Sequence, residues 1–189
     1  MNEKLDRRKQ YTRKVLKNSL IELLQNKPIN AISVKEICQL ADINRSTFYA
    51  HYTDLYDLLQ QIEEEIIQDI DNTLSTFTYD DKDNSLKVTI KLLEYIAANK
   101  DSCQTLFSEN GSTTFQKKVI LLAQDCTIGQ WFSYNKIAPH IAEYISLFLV
   151  NGSICTIQQW LKNGMDQTPE EMAKLICDFS ERGLSAFTE

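Results

Sequence analysis

Apolar residues recur every three or four positions along most of this chain, and the breaks in that rhythm divide it into helices. From Tyr11, Leu16, Leu20, Leu23 and Leu24 fall at helical spacing. Asn26 to Pro28 ends this first element, because the residue before a proline avoids helical geometry. In "ISVKEI", Ser33 and Glu36 have the spacing of a capping box, and Ile32 and Ile37 that of a hydrophobic staple, so a second helix is predicted from Val34. It is short, because "LADIN" follows: Asp42 can take the left-handed conformation of a tight turn, and Asn44 can cap a third helix over 45–51. A fourth is predicted over 54–76, where Leu55, Leu58 or Leu59, Ile62, Ile66, Ile70 and Leu74 make one stripe. At about 1.5 Å per residue it is roughly 30 Å or more long.

The same rhythm continues after the break at "DDKDNS". Leu86, Ile90, Leu93 and Ala97 define a fifth helix and "CQTLF" a short sixth, closed by Asn110-Gly111. Phe115, Val119, Leu122 and Cys126 open a seventh that reaches about Tyr134. Pro139 suits the first turn of an eighth, which runs to Lys162 and is closed by Gly164. In "TPEEM", Thr168 is placed as cap, Pro169 at the first helical position and Glu171 at the third, starting a ninth helix that reaches about Ala186. The fold class is therefore all-α, with about nine helices.

Composition agrees with this pattern. The 189 residues include only five Gly and three Pro, too few for a turn-rich β fold. The N-terminal "MNEKLDRRKQ" leads into no apolar run, and the greasiest stretch, "IAEYISLFLVNGSICTI", is interrupted by Glu143, Asn151 and Gly152. No signal peptide or membrane span is expected, and the chain reads as cytoplasmic. Five scattered cysteines without CxxC spacing and only two histidines suggest no zinc site, so the thiols read as reduced core residues and no metal or cofactor is expected. A redox-sensing pair is the alternative for them.

Charge adds what periodicity cannot. Through Thr53 there are ten bases against five acids, a balance of +5; because the whole chain is at -6, the remainder is at -11. A single charged cluster is often only a solvated face. A reversal of sign at one boundary instead suggests a basic module for a polyanion, carried on an acidic body. Two short helices joined by a few residues, the second opening Arg-Ser-Thr, have the layout of a helix-turn-helix, whose second helix presents its first residues to base edges. Arg45 suits a bidentate pair with guanine, and Thr47 suits a phosphate or a thymine methyl. An exposed Arg at a helix N-terminus is unfavourable beside the positive end of the dipole unless an anion neutralises it. Ile37, Ala41, Ile43 and Phe48 are expected to hold the two helices together. On the first helix the basic residues Arg13, Lys14 and Lys17 remain available for solvent or phosphate. Tyr49 has two readings, core ring or phosphate contact, and so has His51, a partly buried histidine or a DNA ligand.

These residues also carry a resemblance. "ISVKEICQLADINRSTFYAHYTDLYDLL" resembles the DNA-binding signature of the TetR/AcrR family of transcriptional regulators, in which a three-helix head runs into a long fourth helix. The resemblance covers about the first third of the chain and implies a helix-turn-helix domain over 1–53 and a helical regulatory and dimerisation domain over 54–189. It places Arg45 and Ser46 at bases, Thr47 at base or backbone, Tyr49 and His51 at phosphates, and Tyr52 as a ring packing the head on helix four. With Lys14 and Ser33 as further contacts, the expected DNA-binding set is Lys14, Ser33, Arg45, Ser46, Thr47, Tyr49 and His51. The family often has Gly where this sequence has Asp42 and Ser46, and many members have a phosphate-binding Lys where it has Leu55. Further on, "FLVNGSICTIQQWLKNG" with "TPEEMAKLI" is similar to the C-terminal region of a Gram-positive subgroup that includes regulators like those controlling dihydroxyacetone kinases.

The resemblance implies a homodimer on a near-palindromic double-stranded operator, with its interface on the last two helices. The eighth helix supports this from its own residues, being apolar on more than one side, and burial within the monomer is the alternative. Phe148, Ile154, Ile157, Trp160, Leu161, Met172, Leu175 and Phe179 are the expected interface. Tyr95, Cys103, Phe107, Phe115, Trp131 and Tyr134 could line a ligand cavity in the middle helices or be plain core. A repressor released by a small-molecule inducer is the first functional reading; a regulator controlled by a protein partner, without a small-molecule pocket, is the second. No Gly-rich phosphate loop, GxSxG or HExxH is present, so an enzyme is not expected.

Overall fold

A computed structural model of the chain describes residues 2–75, 82–135 and 138–185, with side chains over 7–75, 85–124 and 140–185. Among the described residues the secondary structure is entirely helical: α1 (Asn2–Leu24), a 3-10 turn (Ile29–Ala31), α2 (Val34–Leu40), α3 (Arg45–Tyr49), α4 (Leu55–Leu74), α5 (Lys82–Ala98), α6 (Lys100–Leu106), α7 (Thr113–Asn135), α8 (Pro139–Lys162) and α9 (Pro169–Ser185). The chain forms two compact units, Met1–Ile66 with Thr105–Ser112, and Ile67–Gln104 with Thr113–Glu189.

Some boundaries differ from those the sequence pattern predicts. Helix α1 begins at Asn2, nine residues before Tyr11, since nothing in "NEKLDRRKQ" breaks a helix and Glu, Lys, Leu and Arg all favour one. Helix α3 stops at Tyr49, with Ala50 as its last helical cap. Helix α5 takes in Lys82 to Ser85, four of the six residues of the expected break, because Asp, Asn and Ser are tolerated in a first turn, where backbone N–H groups lack partners.

In the first unit the core is built by Leu16, Leu20, Ile21 and Leu24 of α1, Ile37 of α2, Phe48 of α3, Tyr52, and Leu55, Leu58, Leu59, Ile62 and Ile66 of α4, all buried. Ile21 takes the place expected of Leu23, which is half-buried. The α4 stripe lies where its spacing puts it, and Leu55 is buried at its start. That start is fixed by acids: Asp57 N–H donates to Asp54 Oδ1 at 2.9 Å, and Thr53 N–H donates to Asp57 Oδ2 at 2.7 Å.

In the second unit α5 packs on α9 and α7 on α8. Leu93, Ile96, Cys103, Trp160, Leu161, Met172 and Ala173 form one buried cluster, with Tyr95, Ile157 and Ile176 against it. The Trp160 indole N–H donates to the Gln167 carbonyl at 2.9 Å, tying the end of α8 to the turn before α9. That turn opens as the sequence predicts. Thr168 Oγ1 accepts from Glu171 N–H at 3.2 Å, and Glu171 Oε2 accepts from Thr168 N–H at 2.9 Å. By length and composition α8 could cross a membrane over His140–Lys162. The polar Glu143 and Asn151 interrupt that stretch, and Ser146, Trp160 and Leu161 are buried while Tyr144, Leu147 and Phe148 are exposed.

Candidate nucleic-acid interface

Helix α2 begins at a complete capping box. Ser33 Oγ accepts from Glu36 N–H at 3.3 Å while Glu36 Oε2 accepts from Ser33 N–H at 2.9 Å. Lys27 Nζ donates to Glu36 Oε1 at 2.5 Å. The Lys27 bond, followed by those from Ser33, holds the Glu36 carboxyl down to about 2. Ser33 was expected to face DNA, and it is exposed, but its N–H and its hydroxyl are both engaged in this cap.

The turn from α2 to α3 is a Schellman motif. Ile43 N–H donates to Cys38 O at 3.0 Å and Asp42 N–H to Gln39 O at 3.4 Å, with Asp42 at φ 51°. Asp42 thus takes the left-handed conformation its position predicts. Asn44 occupies the N-cap of α3 with extended backbone but makes no side-chain cap bond; its carbonyl instead accepts from Thr47 N–H at 2.9 Å and from Phe48 N–H at 3.2 Å.

Phe48 orients α3. Its ring is completely buried, and on a helix this short that turns Arg45, Ser46 and Tyr49 to solvent, with Thr47 half-buried. Tyr49 is 58% exposed and stands edge-on to Phe48, ring centroids 5.4 Å apart. Of its two readings the structure leaves it as a surface ring braced by a core ring. Phe48 also meets Tyr52 at 5.8 Å, and Tyr52 meets His51 at 6.2 Å. Tyr52 is buried, its hydroxyl has no partner among the described residues, and burial pushes its pKa up. His51 is half-buried; burial first, then the charges of Arg13 and Lys9, hold its imidazole below its usual 6.5. Ile37 is fully buried between these elements, while Ala41 and Ile43 are half-buried.

Among the described residues, the exposed cations of this unit are Arg7, Arg8, Lys9, Arg13 and Lys14 on α1, Lys35 on α2 and Arg45 on α3. Lys17 was expected to be available to phosphate; it is instead ion-paired to Glu65 on α4. Arg7, Arg8 and Lys9 carry no helical pattern of their own, and only their charge could have marked them in the sequence.

The residues expected to line a cavity are placed as follows where their side chains are described. Cys103 and Phe115 are completely buried, Tyr95 packs against the core cluster that contains Cys103, and Phe107 is half-buried in the first unit. Burial pushes the Cys103 thiol up to about 12, so it stays protonated. Trp131 and Tyr134 have side chains outside the described residues. Of the residues expected at an interface, Phe148 (69%), Leu175 and Phe179 (67%) are exposed, Ile154 and Ile157 are half-buried, and Trp160, Leu161 and Met172 lie in the protomer's own core. Helix α8 is amphipathic in two directions at once, and the spacing could not say which apolar residues face inward. Tyr144, four residues before Phe148 and equally exposed, was not anticipated; its spacing from Phe148 was the available signal.

Residues 83–182, just over half of the chain, match a family model described as a transcriptional regulator C-terminal region, of the TetR type. No curated protein matches the sequence. Among solved structures, a TetR transcriptional regulator from Streptococcus agalactiae is similar over 95% of this chain and 99% of its own, at 22% identity and a TM-score of 0.63. A TetR-family regulator from Syntrophomonas wolfei is similar over 93% and 96%, at 17% identity and a TM-score of 0.68. The dihydroxyacetone kinase operon activator DhaS is similar over 94% and 98%, at 19% identity and a TM-score of 0.63. At these identities the likeness is one of fold. With the family model over the body and the helix-turn-helix in the head, the chain belongs to the TetR family of transcriptional regulators.

Proposed function

We propose that this DNA-binding regulator works as a homodimer on a near-palindromic operator, which it represses by occupying it. The observation that carries the DNA contact is the outward set on α3, Arg45, Ser46 and Tyr49, held over the buried Phe48, with the exposed Arg13 and Lys9 of α1 near enough to act on His51 just after it. In this reading Arg45 pairs with a guanine, Ser46 and Thr47 meet base or backbone, and Tyr49, His51 and Lys14 meet phosphates. In this reading the division at 1–53 and 54–189 is one of function, while the compact units divide within α4, after Ile66. The dimer draws support from the exposed Tyr144, Phe148, Leu175 and Phe179, large apolar surfaces that a second copy would cover.

Recovery of bound DNA genome-wide would give the operator, and its neighbouring genes the regulated pathway. Against that operator, Arg45→Ala should lose about 1–3 kcal/mol and relax the preference at one base pair. Equal loss on every sequence would refute base reading by Arg45. Control by a small-molecule inducer in the body is the first reading of regulation. Control by a protein partner is the second, favoured by the burial of Cys103 and Phe115, which are packed as core. Among solved proteins of this fold, DhaS is named an activator and NalD a secondary repressor of an efflux pump, so the fold serves both signs of regulation. Reporter transcription from the recovered operator, with and without the chain, decides the sign here: activation by the chain would overturn repression.

A further inference from the structure

One part of the head unit comes from far along the chain. Residues Thr105–Ser112, the end of α6 and the corner after it, belong to the same compact unit as α1 to the middle of α4, while the residues on both sides of that segment belong to the other unit. In the chain the segment is joined to that other unit at Gln104 before it and at Thr113 after it.

The corner is tightly specified. Ser108 Oγ donates to Thr105 O at 2.7 Å, Asn110 N–H donates to Ser108 Oγ at 3.2 Å, and Gly111 N–H donates to Ser108 O at 3.1 Å. A Cβ on Gly111 would lie 2.1 Å from Leu106 O, so only glycine closes this turn. Leu106 is completely buried and Thr105 nearly so. From this corner the Asn110 side-chain amide reaches α1 and donates to the Leu24 carbonyl at 3.1 Å. Leu24 is the last residue of α1 and its side chain is completely buried. Carbonyls of a helix's last turn lack partners within the helix, so Asn110 supplies one that the helix itself cannot.

We propose that Asn110 is a positioning residue for DNA binding: its bond to Leu24 O clamps the C-terminal turn of α1, the helix that carries Arg13 and Lys14, to a segment whose two ends run into the regulatory unit. This rests on the DNA-binding reading given above. The bond is neutral and one-directional, amide to carbonyl, so it depends on a donor at position 110. Asp at that position keeps the shape, removes the donor and brings a negative charge to the negative end of the α1 dipole.

The test uses the full chain and three variants, Asn110→Ala, Asn110→Asp and Asn110→Gln. The probe is the duplex that the wild-type chain selects from a random-sequence library. Wild type, Ala and Asp variants are compared by duplex affinity, by amide hydrogen exchange and by thermal unfolding. The expected result is a duplex affinity about fivefold weaker for Asn110→Ala, as for loss of one hydrogen bond, and weaker again for Asn110→Asp. Exchange should quicken in peptides covering 18–28 and 105–112 and not across α5 and α9. Asn110→Gln, which retains a donor, should recover part of the affinity. Unchanged exchange in 18–28 for both Ala and Asp variants would overturn the clamp. So would unchanged affinity alongside faster exchange, since the bond would then be structural only. If the wild type selects no duplex, the DNA-binding reading fails, and exchange in 18–28 still decides whether the clamp exists.

Discussion

The two units use the same helix-end devices with different residues and put their aromatic side chains to opposite uses. Each has a complete capping box, Ser33 with Glu36 in the head and Thr168 with Glu171 in the body. Each has a Schellman turn, closed by Asp42 in the head and by Gly164 in the body, where Gly164 N–H donates to Leu161 O at 3.1 Å and Met165 N–H to Trp160 O at 2.9 Å. In the head the one fully buried ring of α3 sets what its neighbours expose. In the body Trp160 is core while Phe148, on the same helix, is surface. Local hydrogen-bond devices thus specify where helices start and stop in both units. Which way an aromatic points depends on what packs against it.

The largest test of that contrast removes one ring from each side. Phe48→Ala should destabilise the head by about 3–5 kcal/mol, because a completely buried ring leaves both lost transfer energy and a cavity. Phe148→Ala with Phe179→Ala should leave unfolding of the protomer within about 1 kcal/mol, as for surface positions. The same pair should weaken self-association by about tenfold or more if these rings sit at the centre of the dimer interface. Urea unfolding and a sedimentation concentration series read the two quantities separately. A monomeric wild type at micromolar concentration would remove the interface from the comparison altogether.

The turn residues give a smaller effect of predictable sign. A non-glycine residue in the left-handed region costs about 1 kcal/mol, somewhat less for Asp, whose short side chain tolerates it. Asp42→Gly should therefore stabilise the head by about 0.5–1 kcal/mol, and Gly164→Ala, at φ 82°, should destabilise the body by about 1 kcal/mol. Differential unfolding of the two variants checks both. A destabilised Asp42→Gly chain would mean that the Asp side chain serves the turn itself.

How far the sequence spoke follows the same division. The α2 cap, the left-handed Asp42, Pro139 at the start of α8, the closure at Gly164 and the Thr168 box were all legible, because each depends on residues within six positions of one another. The head's outward residues were legible because one buried ring decides their direction. Ion pairing of Lys17 with Glu65 was not, since the two are 48 residues apart. Neither was the reach of Asn110 to Leu24 across 86 residues. In the body, Trp160, Leu161 and Met172 share the apolar character of Phe148 and Phe179, and only tertiary packing separates core from surface. The start of α1 was missed for a different reason: charged helix formers show no apolar stripe, although they favour the helix as strongly.

The smallest expected effect is the most discriminating one for the head, because it has two parts of opposite sign. In the free chain the His51 pKa lies below its usual 6.5, first through burial and then through Arg13 and Lys9. The unfolded chain therefore takes up this proton more readily than the folded one. The stability His51 contributes is present above pH 6.5 and is lost as pH falls through its folded value. If His51 meets a phosphate, the bound duplex favours the protonated ring, so binding takes up a proton and affinity rises as pH falls over the same window. Between pH 7.5 and 6 the wild type should bind its selected duplex about two- to threefold more tightly, while its unfolding midpoint drops slightly. His51→Gln, which retains hydrogen bonding without a charge change, should flatten both dependences. A histidine that is only a half-buried structural residue would move the unfolding midpoint and leave the pH dependence of DNA affinity the same in wild type and variant.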